Sequence, residues 1–419
     1  MVQNLKDKVR HDLVSRYSSL INKMPMDNYE LRNAIADILE SIVNTPKSNF
    51  SNEEREKIIR ELVDEFAGFG PIEDLMKDPQ VTEIMINGPK RIYVERAGKK
   101  ELSGIVFDSE EQVMSLAHKM LMFTRRRVDE SFPYTDVSLK DGSRVNIIIF
   151  PVALDGPVIT IRKFLKEINK VEDLIEFHTL DKRMSEFLVA AIKARVNIIF
   201  SGPTGAGKTT TLNVLASYIP NDERIVTIED TAELYLTQDH VVRLQAKQAN
   251  IEGKGEITIR HLFRNSLRMR PKRIIIGEIR GAEALDMLQA ICSGHGGSLA
   301  VIHSDDPQDV IYRIETMILT SGIPITLDAI SRQIAAAVNI IIHQQQLPDG
   351  SRKITNITAV NGLKNGQVIL EDIFNYDIES ISPEGKVKGA WRATGVVPIF
   401  YDKFMKAGVN LPEEIFKKD

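Results

Sequence analysis

Residues 196–215 read VNIIFSGPTGAGKTTTLNVL. An apolar run at 196–200 has the length of a buried strand, a glycine-rich turn follows, and a helix is expected from about Lys208. Within the stretch, Gly202-Pro203-Thr204-Gly205-Ala206-Gly207-Lys208-Thr209 completes G-x-x-x-x-G-K-[ST] in the strand–loop–helix setting that gives the pattern meaning. The chemistry is anion capture. Glycines allow several backbone N–H groups to turn inward, and the helix N-terminus adds unpaired N–H groups and the positive end of its dipole. Lys208 supplies a point charge for the β- and γ-phosphates. Thr209, with Thr210 beside it, supplies a hydroxyl oxygen suited to Mg²⁺. The stretch predicts a binding loop for a nucleoside triphosphate over residues 202–210.

Beyond this loop strands and helices alternate. Strands are expected at 225–228, 273–276, 298–303 and 338–343, with helices at 259–270, 282–293, 307–320 and 327–337. Such alternation predicts a mostly parallel sheet covered by helices on both faces. Asp349-Gly350 and Asn365-Gly366 are hairpin turns that extend one sheet edge antiparallel. On the other side of the loop, a helix at 184–195 leads into its strand, and the polar stretch 166–180 reads as a linker. Residues 181–419 thus form one α/β domain. Residues 66–165 read as a small α+β domain, with a strand at 91–96 turning at 97–99, a helix at 110–123, a hairpin about Asp141-Gly142 and a strand at 158–162. Residues 1–65 read as a helical bundle broken at Pro25 and Pro46, its third helix opening at Ser51.

Composition narrows the function. A chain of 419 residues with 43% hydrophobic content has material for two or three cores. A net charge of −4 gives no electrostatic reason to expect nucleic acid as a partner. The single cysteine, Cys292, excludes an internal disulfide framework and a cysteine-rich zinc site. The charged N-terminus lacks the apolar core of a signal peptide, and no run of 18 apolar residues predicts a membrane span.

In open α/β sheets ligands lie outside the carboxyl ends of the strands. The residues just after the strands are Glu229 and Asp230, with Glu233 close behind, then Glu278 and His303; Gly294-His295-Gly296-Gly297 precedes the last of these strands. All are expected along one edge beside the phosphate loop, able to hold Mg²⁺, orient a water and sense the γ-phosphate. Glu278, set behind three isoleucines, is the first choice for the water, and Glu229 the next. Position 277, where an acid would hold the metal, is glycine. Mg²⁺ then rests on Thr209, phosphate oxygens and waters, with Glu278 reached through a water. The competing readings are that Glu278 pairs with Arg280, that Glu229 and Glu233 are strand-end charges, and that His295 and His303 are structural. Phosphoryl transfer also needs positive charge on the γ-phosphate. Arg144 and Arg162 in the preceding domain are the candidates. Arg260, Arg264 and Arg268 share one helix face, either a salt-bridged surface or a contact with a neighbouring subunit.

As a set these residues resemble the secretion ATPases of type II and type IV systems, most closely the CpaF-type ATPases of the tight-adherence (Flp) pilus machinery. The matching stretches are VTEIMING at 81–88, DGSRVN at 141–146, LDGP at 154–157, IRKF at 161–164, the phosphate loop, RIVTIED at 224–230 and NIEGKG at 250–255. They continue with LRMRP at 267–271, GEIRGAEA at 277–284 and the stretch from Gly294-His295 to Ile302-His303. The resemblance implies a RecA-like P-loop ATPase domain preceded by a PAS-like α+β domain, with ATP and Mg²⁺ between them. It implies a homohexamer on the cytoplasmic face of the inner membrane, driving pilus assembly, retraction or secretion through a polytopic platform protein. In that family the loop is the Walker A motif, the Glu229 stretch the Asp box, the Glu278 stretch an atypical Walker B and 294–303 the His box. Its glycine at the position of Gly277 is usual, and its N-terminal arginines reach the phosphates, which favours Arg144 and Arg162. One departure is Gly-Pro-Thr-Gly-Ala-Gly where Gly-Gly-Thr-Gly-Ser-Gly is expected. Pro203 brings no N–H, so its carbonyl side is expected near the ligand. A RecA-like nucleic-acid motor and a non-catalytic nucleotide-dependent scaffold are the alternatives. Lys208, Thr209 and Glu278 speak against the scaffold, and the acidic balance against the nucleic-acid motor.

Overall fold

The structure, a computed structural model, describes all residues except Met1, 18–27, 44–50, 97, 123, 125, 140, 164–167, 248, 250–253 and 384. Pro25 and Pro46, Phe164 and the 250–253 part of the glycine-rich motif therefore lie outside the described residues. The chain divides into two compact units, residues 1–165 and 166–419.

In the first unit, helices α1 (Val2–Arg16), α2 (Asn28–Val43) and α3 (Asn52–Ala67) share a core. Leu5, Val9 and Leu13, Leu31, Ile35 and Ile38, and Ile58, Ile59 and Leu62 recur at helical spacing, so each helix turns one apolar face inward. Ser51 caps α3 through a reciprocal pair with Glu54. After the short helix α4 (Glu73–Lys77) comes an all-antiparallel sheet in the order β3-β2-β1-β6-β5-β4. Its strands are β1 (Val81–Asn87), β2 (Ile92–Arg96), β3 (Lys99–Leu102), β4 (Tyr134–Ser138), β5 (Arg144–Ile148) and β6 (Val158–Arg162). Helix α5 (Glu110–Leu121) buries Val113, Leu116, Ala117 and Met120 in the core this sheet shares. Strand β1 was not legible as a strand, because a register shift between Val81 and Glu83 breaks its alternation. The Lys119 ammonium donates to the carbonyls of Glu65, Phe66 and Gly68, satisfying the C-terminal end of α3.

The second unit is built on a sheet in the order β15-β14-β13-β12-β7-β11-β10-β8-β9. Helices α6 (Val171–Glu176) and α7 (Lys182–Lys193) lead into β7 (Ile198–Gly202) and α8 (Lys208–Ala216). Strands β8 (Ile225–Glu229) and β9 (Val241–Gln245), helix α9 (Ile259–Ser266), strand β10 (Arg273–Ile276), helix α10 (Glu283–Cys292) and strand β11 (Leu299–His303) follow. Then come α11 (Pro307–Leu319), α12 (Leu327–Ala337) and β12 (Ile340–Gln346). Strands β12, β7, β11, β10, β8 and β9 pair parallel, while β13 (Arg352–Lys364), β14 (Gln367–Ile381) and β15 (Val387–Ala393) add antiparallel hairpins on the β12 side. Alternate residues serve the two faces. Ile198, Phe200, Leu299 and Val301 join one core, and Ile199, Ala300, Ile302 and Ile341 the other.

Three features differ from the sequence reading. Within 166–180, Val171, Leu174 and Leu180 are buried in the first of these cores, so this stretch packs onto the second unit instead of spanning a gap. The helix expected over 259–270 ends at Ser266, continues as a 3₁₀ turn to Met269 and stops at Arg270 with φ +55. Strand β9 is an extra parallel edge, half-buried and too short to show a clear period. Beyond β15, helix α13 (Asp402–Lys406) and Phe416 bring rings against Phe187, closing one face with aromatic contacts.

Candidate functional site

The glycine-rich loop leaves the carboxyl end of β7 and enters α8. Gly202, Gly205 and Gly207 have φ of +140, +81 and +93, backbone that glycine adopts at little cost. Gly207 is the N-cap of α8. Lys208 is buried, and its ammonium donates to Gly202 O at 2.9 Å and Pro203 O at 2.7 Å. Pro203 thus turns its carbonyl toward the cationic centre of the loop.

His303 ends β11 as the register partner of Gly202, which sets it beside the loop. Its Nδ1 lies 3.4 Å from Lys208 Nζ and its Nε2 3.4 Å from Glu278 Oε1. A neutral imidazole with its proton on Nε2 satisfies both contacts, accepting from lysine and donating to glutamate. Glu278 follows β10, the strand beside β11, and receives both Nε and Nη2 of Arg280 at 2.6 Å. Arg280 reaches on to Asp230 at 3.9 Å. Burial pushes the Glu278 carboxyl up, but hydrogen bonds from His303 and Arg280 outweigh it and hold it at about 2. The expected pairing of Glu278 with Arg280 and its nearness to His303 therefore coexist.

Glu229 is buried at the end of β8. Its Oε1 accepts the N–H groups of Glu233 at 2.7 Å and Leu234 at 2.8 Å, and its Oε2 is buried with no hydrogen-bond partner among the described residues. Burial raises its carboxyl above the ordinary value, against those two hydrogen bonds and the charge of Arg243. Between β7 and β8 stand β11 and β10, so Glu229 lies about 14 Å across the sheet from the loop strand.

His295 does not join this edge. It precedes β11, and β11 begins beside Ile198, so the 294–297 turn lies at the opposite end of the sheet, about 13 Å away along the strand. There Asn197 Oδ1 accepts the N–H groups of Gly297 and Ser298, and Asn197 Nδ2 donates to Ala337 O. His295 Nδ1 lies 3.3 Å from Ala290 O at the end of its own preceding helix. Of the expected arginine face, Arg260 and Arg264 on α9 both bind Asp286 of α10, whereas Arg268 falls in the 3₁₀ turn beyond the helix. Arg144 and Arg162 are register partners on β5 and β6 of the first unit, and Arg162 Nε donates to Glu83 at 2.8 Å.

Residues 65–371 match the family described as type II/IV secretion system protein. This chain belongs to that family. A protein of Mycobacterium tuberculosis (strain H37Rv) assigned by name to conjugal transfer is 33% identical over 308 residues, covering 72% of this chain and 87% of its own length. Protein VirB11 of Agrobacterium fabrum is 32% identical over 302 residues, 65% of this chain and 87% of its own. Type IV secretion system protein VirB11 of Brucella suis is 30% identical over 301 residues, 65% of this chain and 83% of its own. Among solved structures, the pilus retraction motor PilT with bound ADP is similar in fold, with a TM-score of 0.51 and 21% identity over 72% of this chain and 80% of that one.

Sequence reasoning missed two residues that touch the loop. Arg352 Nε donates to Gly205 O at 2.9 Å, and Gln344 Oε1 accepts from Thr211 Oγ1 at 2.8 Å. Behind the loop strand, His343 Nδ1 lies 2.9 Å from Ser201 Oγ, and burial lowers the basicity of its imidazole. All three lie on β12 or β13, 140 residues or so along the chain, and no local pattern announces them.

Proposed function

We propose that this chain is a motor ATPase that binds ATP in loop 202–210 and works as a homohexamer at the cytoplasmic face of the inner membrane. The observation that carries the reading is the unbroken run Lys208–His303–Glu278–Arg280 along the carboxyl edge of β7, β11 and β10. Lys208 and the loop amides hold the β- and γ-phosphates. Glu278, ionised at working pH, orients the attacking water; a carboxyl held at about 2 is a weak base and positions better than it removes protons. Glu229, raised by burial, is the better proton acceptor of the two but stands farther from the loop. His303 links the charge at Lys208 to Glu278 and so senses the γ-phosphate.

The side chains present fit Mg²⁺, since a Thr209 hydroxyl and the Glu278 carboxylate are the oxygen donors a hard cation takes. When bound, the ion offsets charge on the β- and γ-oxygens. Thr209 would be its direct side-chain ligand, and Glu278 would reach it through a water. Arg144 and Arg162, in a PAS-like domain spanning 66–165, supply positive charge to the transition state. The domain at 181–419 is RecA-like and carries the hydrolysis, with residues 1–65 as a docking module. The finer assignment is a tight-adherence (Flp) pilus motor acting on a polytopic platform protein. Membership of the secretion family and relatives named for type IV secretion support this reading.

The test is Mg²⁺-dependent phosphate release and nucleotide binding by the purified full chain. Lys208→Ala is expected to weaken ATP binding at least about tenfold, through loss of a charge-assisted contact to phosphate. Unchanged affinity would sink the loop assignment.

A further inference from the structure

We infer that Arg352 is a positioning residue that holds the phosphate loop in its binding shape and sets its affinity for a nucleoside triphosphate. The inference rests on the proposed function for its choice of ligand.

The hairpin of β12 and β13 turns back on itself, with Gln346 paired to Arg352 and Gln344 to Ile354. This hairpin meets each of the three loop glycines. Arg352 Nε donates to Gly205 O at 2.9 Å. A Cβ on Gly207 would stand 3.2 Å from Arg352 Cδ and 2.9 Å from Gln344 Nε2. A Cβ on Gly202 would stand 2.0 Å from Gln344 O, a collision with backbone. Thr211 Oγ1, one turn into α8, donates to Gln344 Oε1, and both side chains are buried. Gly202 and Gly207, by carrying no side chain, therefore make room for the hairpin.

Anchoring one carbonyl has a directional effect. The C=O and N–H of a trans peptide point opposite ways. With Gly205 O held outward by Arg352, the next N–H, that of Ala206, points back across the loop toward Pro203 O at 3.4 Å. Arg352 thereby fixes the peptide whose N–H closes the loop on Pro203 O, and it adds a positive charge beside the loop. Such a contact acts on ground state and transition state alike, so its signature is in affinity and KM, with kcat spared.

The experiment compares the full chain with its Arg352→Gln and Arg352→Lys variants by titration with a fluorescent ATP analogue, by steady-state turnover and by thermal melting. Arg352→Gln is expected to weaken binding and raise KM about tenfold, the loss of one charge-assisted hydrogen bond, with kcat within about threefold of wild type. Arg352→Lys keeps the charge and a donor and is expected to restore most of the affinity. Wild-type affinity in Arg352→Gln overturns the inference, as does a fall in kcat at unchanged KM. Equal weakening in both variants with a lowered melting temperature would make Arg352 a fold element and also overturns it. If the wild-type chain binds the analogue but does not turn over, the motor reading fails while the titration still decides the role of Arg352.

Discussion

Gly277 and Glu229 compete for one space: a Cβ on residue 277 would stand 2.9 Å from Glu229 Cγ and 3.4 Å from its Cβ. Ile228 and Ile276 are register partners, so the ends of β8 and β10 deliver these two residues side by side. The sequence presents glycine 277 as the place where a metal-holding acid is missing. The structure gives it another meaning, since the absent side chain leaves the room that the neighbouring strand fills with a carboxylate.

Gly277→Ala is therefore expected to destabilise the protein by about 1–3 kcal/mol, the usual cost of forcing an extra carbon into a packed site. Glu229 has little freedom to yield, because two backbone N–H groups pin its Oε1. Urea unfolding of the variant checks this, and wild-type stability would mean that Glu229 moves aside freely.

Glu278→Gln keeps the shape of the side chain and removes its charge. It is expected to bind ATP normally and to hydrolyse it about 10²- to 10⁴-fold more slowly, the range for a group that handles a reacting proton or water. Single-turnover phosphate release, measured beside equilibrium ATP binding, separates the two steps. Near-normal turnover would transfer the water to another residue, with Glu229 next in order.

The two acids carry opposite pH signatures. Glu278 is held down at about 2, so its contribution to stability is present above the ordinary carboxyl value and is lost as pH falls from about 4.5 toward 2. Glu229 is raised, so its ionisation opposes folding as pH climbs through and above the ordinary carboxyl range. Glu229→Gln keeps an oxygen for the N–H groups of Glu233 and Leu234 and removes the charge. The variant is expected to gain in melting temperature relative to wild type as pH rises from 4 to 7. A difference that shrinks over that range would show that Glu229 is better solvated than its burial implies.

Much of this architecture is written locally. The strand–turn–helix at 196–215 and the alternation after it depend on near neighbours, and the structure places β7, α8, β10 and α12 within a residue or two of where periodicity puts them. Capping by Ser51 is local in the same way. What failed was long-range or directional. His295 and His303 are close in sequence, yet a full strand separates them and sends them to opposite ends of the sheet. The length of the apolar run 299–302 carried that warning. Arg352 contacts a loop 147 positions away, and no period or spacing encodes such a meeting. Gly277 shows a third case, where the chemistry of one position depends on the volume of a residue on another strand.

The tight closure at the far end of the sheet has a practical side. Asn197 ties together the turn before β11, the end of α12 and, through Asn339, the start of β12. The length of β7, about 13 Å of strand, separates that knot of amides from the loop that follows Gly202. Anyone wishing to harden this protein against heat has a workbench there, where stiffness can be tuned without handling the tools at the other end.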